Sequence, residues 1–143
     1  MSVFSPILLA EDNPNDVELT ITAFKENKVG NRVDVVCDGV QALDYLFYRG
    51  KWADREKETP IVILLDIKMP KMSGIEVLRE IKQHPELKKI PAVMLTSSSL
   101  ENDIVTAYNL GVNAYVVKPV DFVEFAKAVK TLGLFWTVLN RTP

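Results

Sequence analysis

The sequence predicts an α/β domain, a doubly wound (βα)5 unit in which one five-stranded parallel sheet carries helices on both faces. Two observations predict it. Apolar runs of strand length recur five times, and stretches with helical spacing lie between them. A third requirement fixes the architecture: runs this apolar need cover on both faces, which is the condition of parallel strands joined by helical crossovers.

The elements follow in order. The first strand spans Ile7 to Ala10 and leads into a helix marked by Val17, Ile21 and Phe24, with Gly30 as its C-terminal stop. The second strand, Val33 to Val36, ends at Cys37, which reads as a small core residue. Asp38 before Gly39 caps a helix with Leu43, Leu46 and Phe47 on its apolar face. The stretch from Tyr48 to Pro60 holds Lys51, Asp54, Arg55, Glu56, Lys57 and Glu58 and reads as an exposed, mobile extension. Ile61 to Leu65 form the third strand, and Ser73 with Glu76 three residues on opens a helix through Ile75, Leu78 and Ile81. His84, before Pro85 in a charged stretch, reads as a surface loop residue and is given no role. The fourth strand, Ala92 to Leu95, precedes a helix with Ile104, Ala107 and Tyr108 that stops at Gly111. Ala114 to Val117 are the fifth strand, and Asp121 with Glu124 opens the last helix.

Residues 1–143 are thus expected to be a single domain with no separate output domain. One cysteine permits no internal disulfide, and a net charge of −2 with both signs interspersed offers no basic stripe for nucleic acid. Before Ile7 there is neither a basic segment nor a run long enough for a signal peptide or a membrane span, which points to the cytoplasm and away from membranes.

Function is expected where the carboxyl ends of parallel strands line a crevice. There the first strand is followed by Glu11 and Asp12, the third by Asp66, the fourth by Thr96 and Ser97, and the fifth by Lys118. Like charges ~4 Å apart repel by about 4 kcal/mol at an effective dielectric near 20, so three gathered acids call for a cation. A hard divalent ion such as Mg²⁺ suits carboxylates, water and phosphate oxygens, with Asp12 and Asp66 as ligands and Glu11 assisting. Asp66, on the middle strand, is placed to act as a nucleophile toward phosphorus, while Lys118 supplies positive charge and Thr96 a hydroxyl donor.

In these residues the chain resembles the receiver domains of two-component response regulators, the CheY-like proteins of flavodoxin-like fold and strand order 2-1-3-4-5. The resemblance rests on ILLAEDNPND, LLDIKMPKMSG around Asp66, MLTSSS and AYVVKP, and covers nearly the whole chain. It implies that Asp66 is phosphorylated by a sensor histidine kinase. It implies too that Glu11, Asp12, Asp66 and the main-chain carbonyl of Lys68 hold Mg²⁺, for which Mn²⁺ substitutes, and that Thr96 and Lys118 contact the phosphoryl group. Tyr115 takes the place of the family's aromatic switch, working with Thr96 on the face of the fourth helix, fifth strand and fifth helix. Such a protein is no enzyme beyond its own phosphorylation and dephosphorylation, and its message passes to a downstream protein. Two departures stand out: Glu11 where Asp is common, and Lys68 where small or polar residues are common.

The charged extension and the ending GLFWTVL are similar to the small response regulators that pair with phytochromes. In that ending Phe135 and Trp136, with Leu134, Val138 and Leu139, exceed what one side of a terminal helix needs, and predict a homodimer interface. Rival readings are weaker. A phosphatase forming an aspartyl phosphate wants D-x-D, and here Lys68 stands in the second position. A nucleotide or flavin carrier wants a phosphate-cradling loop, which Glu11, Asp12 and Asp16 oppose. A receiver that is never phosphorylated would not be expected to keep this set intact.

Overall fold

The computed structural model describes residues 5–96, 106–118 and 122–131. The strands are β1 (Ile7–Ala10), β2 (Val33–Val36), β3 (Val62–Asp66), β4 (Ala92–Thr96) and β5 (Ala114–Val117). The helices are α1 (Pro14–Glu26), α2 (Gly39–Phe47), α3 (Gly74–Gln83), α4 (106–109) and α5 (Phe122–Thr131), with 3-10 turns at Gly50–Trp52 and Leu87–Lys89. All strand pairs are parallel, as the sequence predicts, and their order, β2-β1-β3-β4-β5, is the one the resemblance implies.

Alternation along the three central strands divides the core in two. Leu8, Ala10, Ile63, Leu65, Ala92 and Met94 face α2 and α3, where Ala42, Tyr45, Leu46, Val77, Leu78 and Ile81 cover them. Ile7, Leu9, Val62, Leu64, Val93 and Leu95 face α1 and α5, covered by Phe24, Phe125 and Ala128. Phe24 and Phe125 meet with ring centroids 4.4 Å apart, tying α1 to α5. Each fully buried aliphatic side chain contributes about 1.5–3 kcal/mol, so the central strands cannot slip without exposing both layers.

Asn13 caps α1 by accepting from the N–H groups of Asn15 and Asp16, with Pro14 preset for the first turn. Asp38 caps α2 through Gln41 N–H, and Ser73 and Glu76 form the expected reciprocal box on α3. Gly111 takes the predicted left-handed turn at φ +94°. Gly30 does not stop α1: the helix ends at Glu26, followed by a cap where the Asn27 side chain bonds the Ala23 carbonyl and by Lys28 at φ 59°.

A further expectation is corrected, and another is qualified. Cys37 is exposed rather than in the core, because β2 is an edge strand and Cys37 lies beyond its ladder, where its N–H bonds Gln41 Oε1. The stretch from Tyr48 to Pro60 is largely exposed, as expected, but it is anchored through Arg55. Arg55 stacks its guanidinium 3.7 Å from the Tyr45 ring centroid and 4.1 Å from that of Tyr48. It also donates to the carbonyls of Tyr45, Glu56 and Glu58, and Trp52 packs edge-on against Tyr45. The Tyr45 hydroxyl in turn donates to Asp34 Oδ2 at 2.7 Å, which ties the segment to β2.

Arg55→Ala removes a stacked cation and three carbonyl contacts, and should lower unfolding stability by about 2–4 kcal/mol. Urea denaturation checks this; Arg55→Lys should recover only part, since an ammonium cannot stack and fork together.

Candidate phosphoacceptor site

The site is built at the carboxyl ends of the strands. Asp66 is the last residue of β3, and beyond it the Ile67 N–H bonds the Leu95 carbonyl at 3.0 Å. Glu11 continues the ladder past β1 through a bond from its N–H to the Val36 carbonyl. Lys118 does the same past β5, its N–H bonding the Thr96 carbonyl at 2.7 Å. These backbone bonds set acids, hydroxyl and amine side by side.

Gly74 keeps the floor close. Its N–H bonds the Ile67 carbonyl at 2.7 Å, and a Cβ there would lie 2.2 Å from the Asp66 carbonyl oxygen, so only glycine lets α3 begin this near β3.

Side chains converge as the residues predict. Glu11, Asp12 and Asp66 each offer an oxygen within 4.8 Å of the others. Lys118 Nζ lies 3.0 and 3.3 Å from the Glu11 oxygens and 3.2 Å from Asp66 Oδ2. Glu11, Asp66 and Thr96 are buried, while Asp12 is exposed. The Lys68 N–H donates to Asp66 Oδ1 at 3.4 Å, and its side chain is exposed. Tyr115 is 41% exposed, its ring edge-on to Tyr108 at 6.0 Å. Ser97, Asp121, Phe135 and Trp136 lie outside the described residues.

Asp16, which the sequence shows only as an acid opposing a phosphate-cradling loop, joins the site as well. From the first turn of α1 its Oδ2 reaches Lys118 Nζ at 3.0 Å. The signal is weak in sequence, because an acid in a first helical turn ordinarily serves the helix dipole.

Three carboxylates, those of Glu11, Asp16 and Asp66, therefore meet one ammonium, with Asp12 close by. Burial, above all, and the adjoining Asp66 raise the pKa of Glu11 from 4.5 to about 7, against the pull of Lys118. Burial works against the Lys118 ammonium, but its bonds to Glu11 and Asp16 and the charge of Asp66 outweigh that and hold it above its ordinary range. Oxygen donors only, two of them buried and one open to water, suit a hard divalent cation. Beside Asp12 and Lys68 a cleft of about 620 Å³ opens between Ile67, Met69, Ser73 and Thr106. A second cleft, of about 500 Å³, is lined by Phe47, Tyr48, Arg55 and His84 beside the residues that lead into β3 and β4, and has none of these acids. His84 is more than a loop residue: its Nδ1 accepts from the N–H groups of Glu86 and Leu87, and its ring meets Phe47.

Comparison with known proteins places this geometry. The model of the response regulator receiver domain matches residues 7–130. Response regulator Rcp1 of Synechocystis sp. is 38% identical over 130 residues, 91% of this chain and 87% of Rcp1. The structures of the bacteriophytochrome response regulators RtBRR and AtBRR superpose with TM-scores of 0.87 and 0.88 at 54% and 52% identity. They cover 98% and 96% of this chain, which spans 84% and 99% of theirs. A crystal structure of Rcp1 in its Mn²⁺-bound form superposes with a TM-score of 0.77 over 97% of both chains at 34% identity.

The raised Glu11 makes a prediction with a definite sign. Unfolded, the group titrates near 4.5, and in the metal-free fold near 7, so between these values the native chain holds more protons. Stability contributed by this group is therefore lost as pH rises from about 5 to about 7. Urea midpoints measured in EDTA across that range should fall, and Glu11→Gln should flatten the slope.

Proposed function

The chain belongs to the response regulator receiver domain family, and on that footing we propose that it accepts a phosphoryl group on Asp66 from the phosphohistidine of a sensor kinase. The observation that carries this reading is the buried Asp66 carboxylate held 3.2 Å from the Lys118 ammonium beside two further acids. An oxygen of Asp66 attacks phosphorus, a P–O bond forms as the P–N bond breaks, and the imidazole leaves with the electron pair.

Lys118 then turns a proton of its ammonium toward the arriving phosphoryl oxygens, and the Thr96 hydroxyl donates to another. Glu11, Asp12, Asp66 and the carbonyl of Lys68 would hold Mg²⁺, or Mn²⁺ in its place, which when bound neutralises charge on the transferring group. That Rcp1 has a Mn²⁺-bound form supports a divalent ion here. Lys68, exposed beside the open cleft, is placed to influence how readily water reaches the acyl phosphate.

About two new negative charges beside Thr96 and Lys118 favour one arrangement of the neighbouring loops. Thr96 draws inward, and Tyr115 leaves its outward position against Tyr108 to fill the space. The face of α4, β5 and α5 changes, and a downstream protein reads it. Similarity to RtBRR and AtBRR favours a phytochrome-type kinase, and the apolar ending with Phe135 and Trp136 favours a homodimer. Residues 7–130 act as one receiver, which accepts a phosphoryl group rather than turning over a separate substrate. Among the described residues no helix is long and apolar enough to cross a membrane, and a kinase that draws on ATP favours the cytoplasm.

Incubation with acetyl phosphate and Mg²⁺ should add one phosphoryl unit to the native chain by mass spectrometry, and none to Asp66→Asn or to the native chain in EDTA. Label retained by Asp66→Asn would assign another acceptor. In sedimentation, Phe135→Ser with Trp136→Ser should shift the native dimer to monomer; an unchanged mass removes that interface.

A further inference from the structure

We infer that Asp16 is a positioning residue for phosphoryl transfer, one that keeps the Lys118 ammonium aimed at Asp66 when its other partners are drawn away. This rests on the reading of Asp66 as phosphoacceptor. An ammonium has three N–H donors, and Lys118 meets three carboxylates, those of Glu11, Asp16 and Asp66, within 3.2 Å. Its side chain is only 10% exposed, so water does not substitute freely for a lost partner.

The three partners differ in what the reaction asks of them. Glu11 and Asp66 belong to the trio of acids that suits a cation, and Asp66 exchanges its charge for a bond to phosphorus. Asp16 is outside that trio, and the transfer itself asks nothing else of it. Its backbone is fixed at both ends: the N–H donates to Asn13 Oδ1 at 3.2 Å and the carbonyl accepts from Thr20 Oγ1 at 2.9 Å. Pro14 sets the start of the same turn. Asp16 therefore holds one N–H from a rigid helix end, and the remaining two stay directed at the reacting oxygens. Without it, a long flexible side chain must be ordered by partners that are themselves rearranging, and that ordering has an entropic cost.

The test is a double-mutant cycle read by the rate of labelling with acetyl phosphate and Mg²⁺ and by ¹⁵N spectra of the Lys118 ammonium. Asp16→Asn keeps the shape and the helix start but removes the charge. It should slow labelling by about tenfold, the size of one charge-assisted hydrogen bond, and Asp16→Glu should restore part of the rate. In a Lys118→Ala background Asp16→Asn should cause no further loss. The ordered ammonium signal of the native chain should broaden or vanish in Asp16→Asn while the amide spectrum is kept. A rate within twofold of native, or equal losses in both backgrounds, overturns the inference, since a purely structural acid acts without Lys118. Should the native chain take no label, the proposed function falls. The ammonium signal then decides Asp16 alone: unchanged by Asp16→Asn, it overturns the inference, and lost, it supports it.

Discussion

The balance between one buried ammonium and the acids around it is the constraint on which the site depends. Lys118 sits within 3.3 Å of oxygens from Glu11, Asp16 and Asp66, contributed by residues that follow β1, lie in α1 and end β3. No element could supply that set alone. Glu11 holds its proton up to about pH 7, first because it is buried and then because Asp66 adjoins it. On the proposed function, a divalent ion and a phosphoryl group would take over these proton and amine contacts.

The fold bears that strain because its centre cannot move. β1, β3 and β4 are buried along their whole length, and their alternating residues lock into two opposed layers. Register at the strand ends follows from register in the core, so Glu11, Asp66 and Thr96 arrive at fixed heights. The close approach of Gly74 to the Asp66 carbonyl extends the same rigidity to α3. By contrast β5 is an edge, with Tyr115 and Val117 both exposed, and the proposed output leaves by this less constrained side.

The other edge carries a different device. Arg55 joins Tyr45, Tyr48 and the carbonyls of its own segment, and Tyr45 passes the contact on to Asp34 of β2. Asp34 is desolvated there, yet Arg32 and Tyr45 hold its pKa below the ordinary value. A charged stretch that looks solvent-bound by composition is thus folded onto α2, because a guanidinium both stacks and donates.

Periodicity alone determined the five strands, their helices and the parallel sheet, since an apolar strand has no other way to bury both faces. Composition at the strand ends also marked the candidate site: Glu11, Asp12, Asp66, Thr96 and Lys118 all lie where one apolar run after another stops. The sequence could not show that Cys37 is exposed or that Arg55 pins its segment, because edge position and stacking are set by neighbours distant in the chain. Nor could it single out Asp16, whose place in a first helical turn has an adequate local explanation. Only the packing of α1 against the sheet brings that carboxylate 3.0 Å from an amine more than a hundred residues away, and pairwise charge contacts at such separation exist only once the chain is folded.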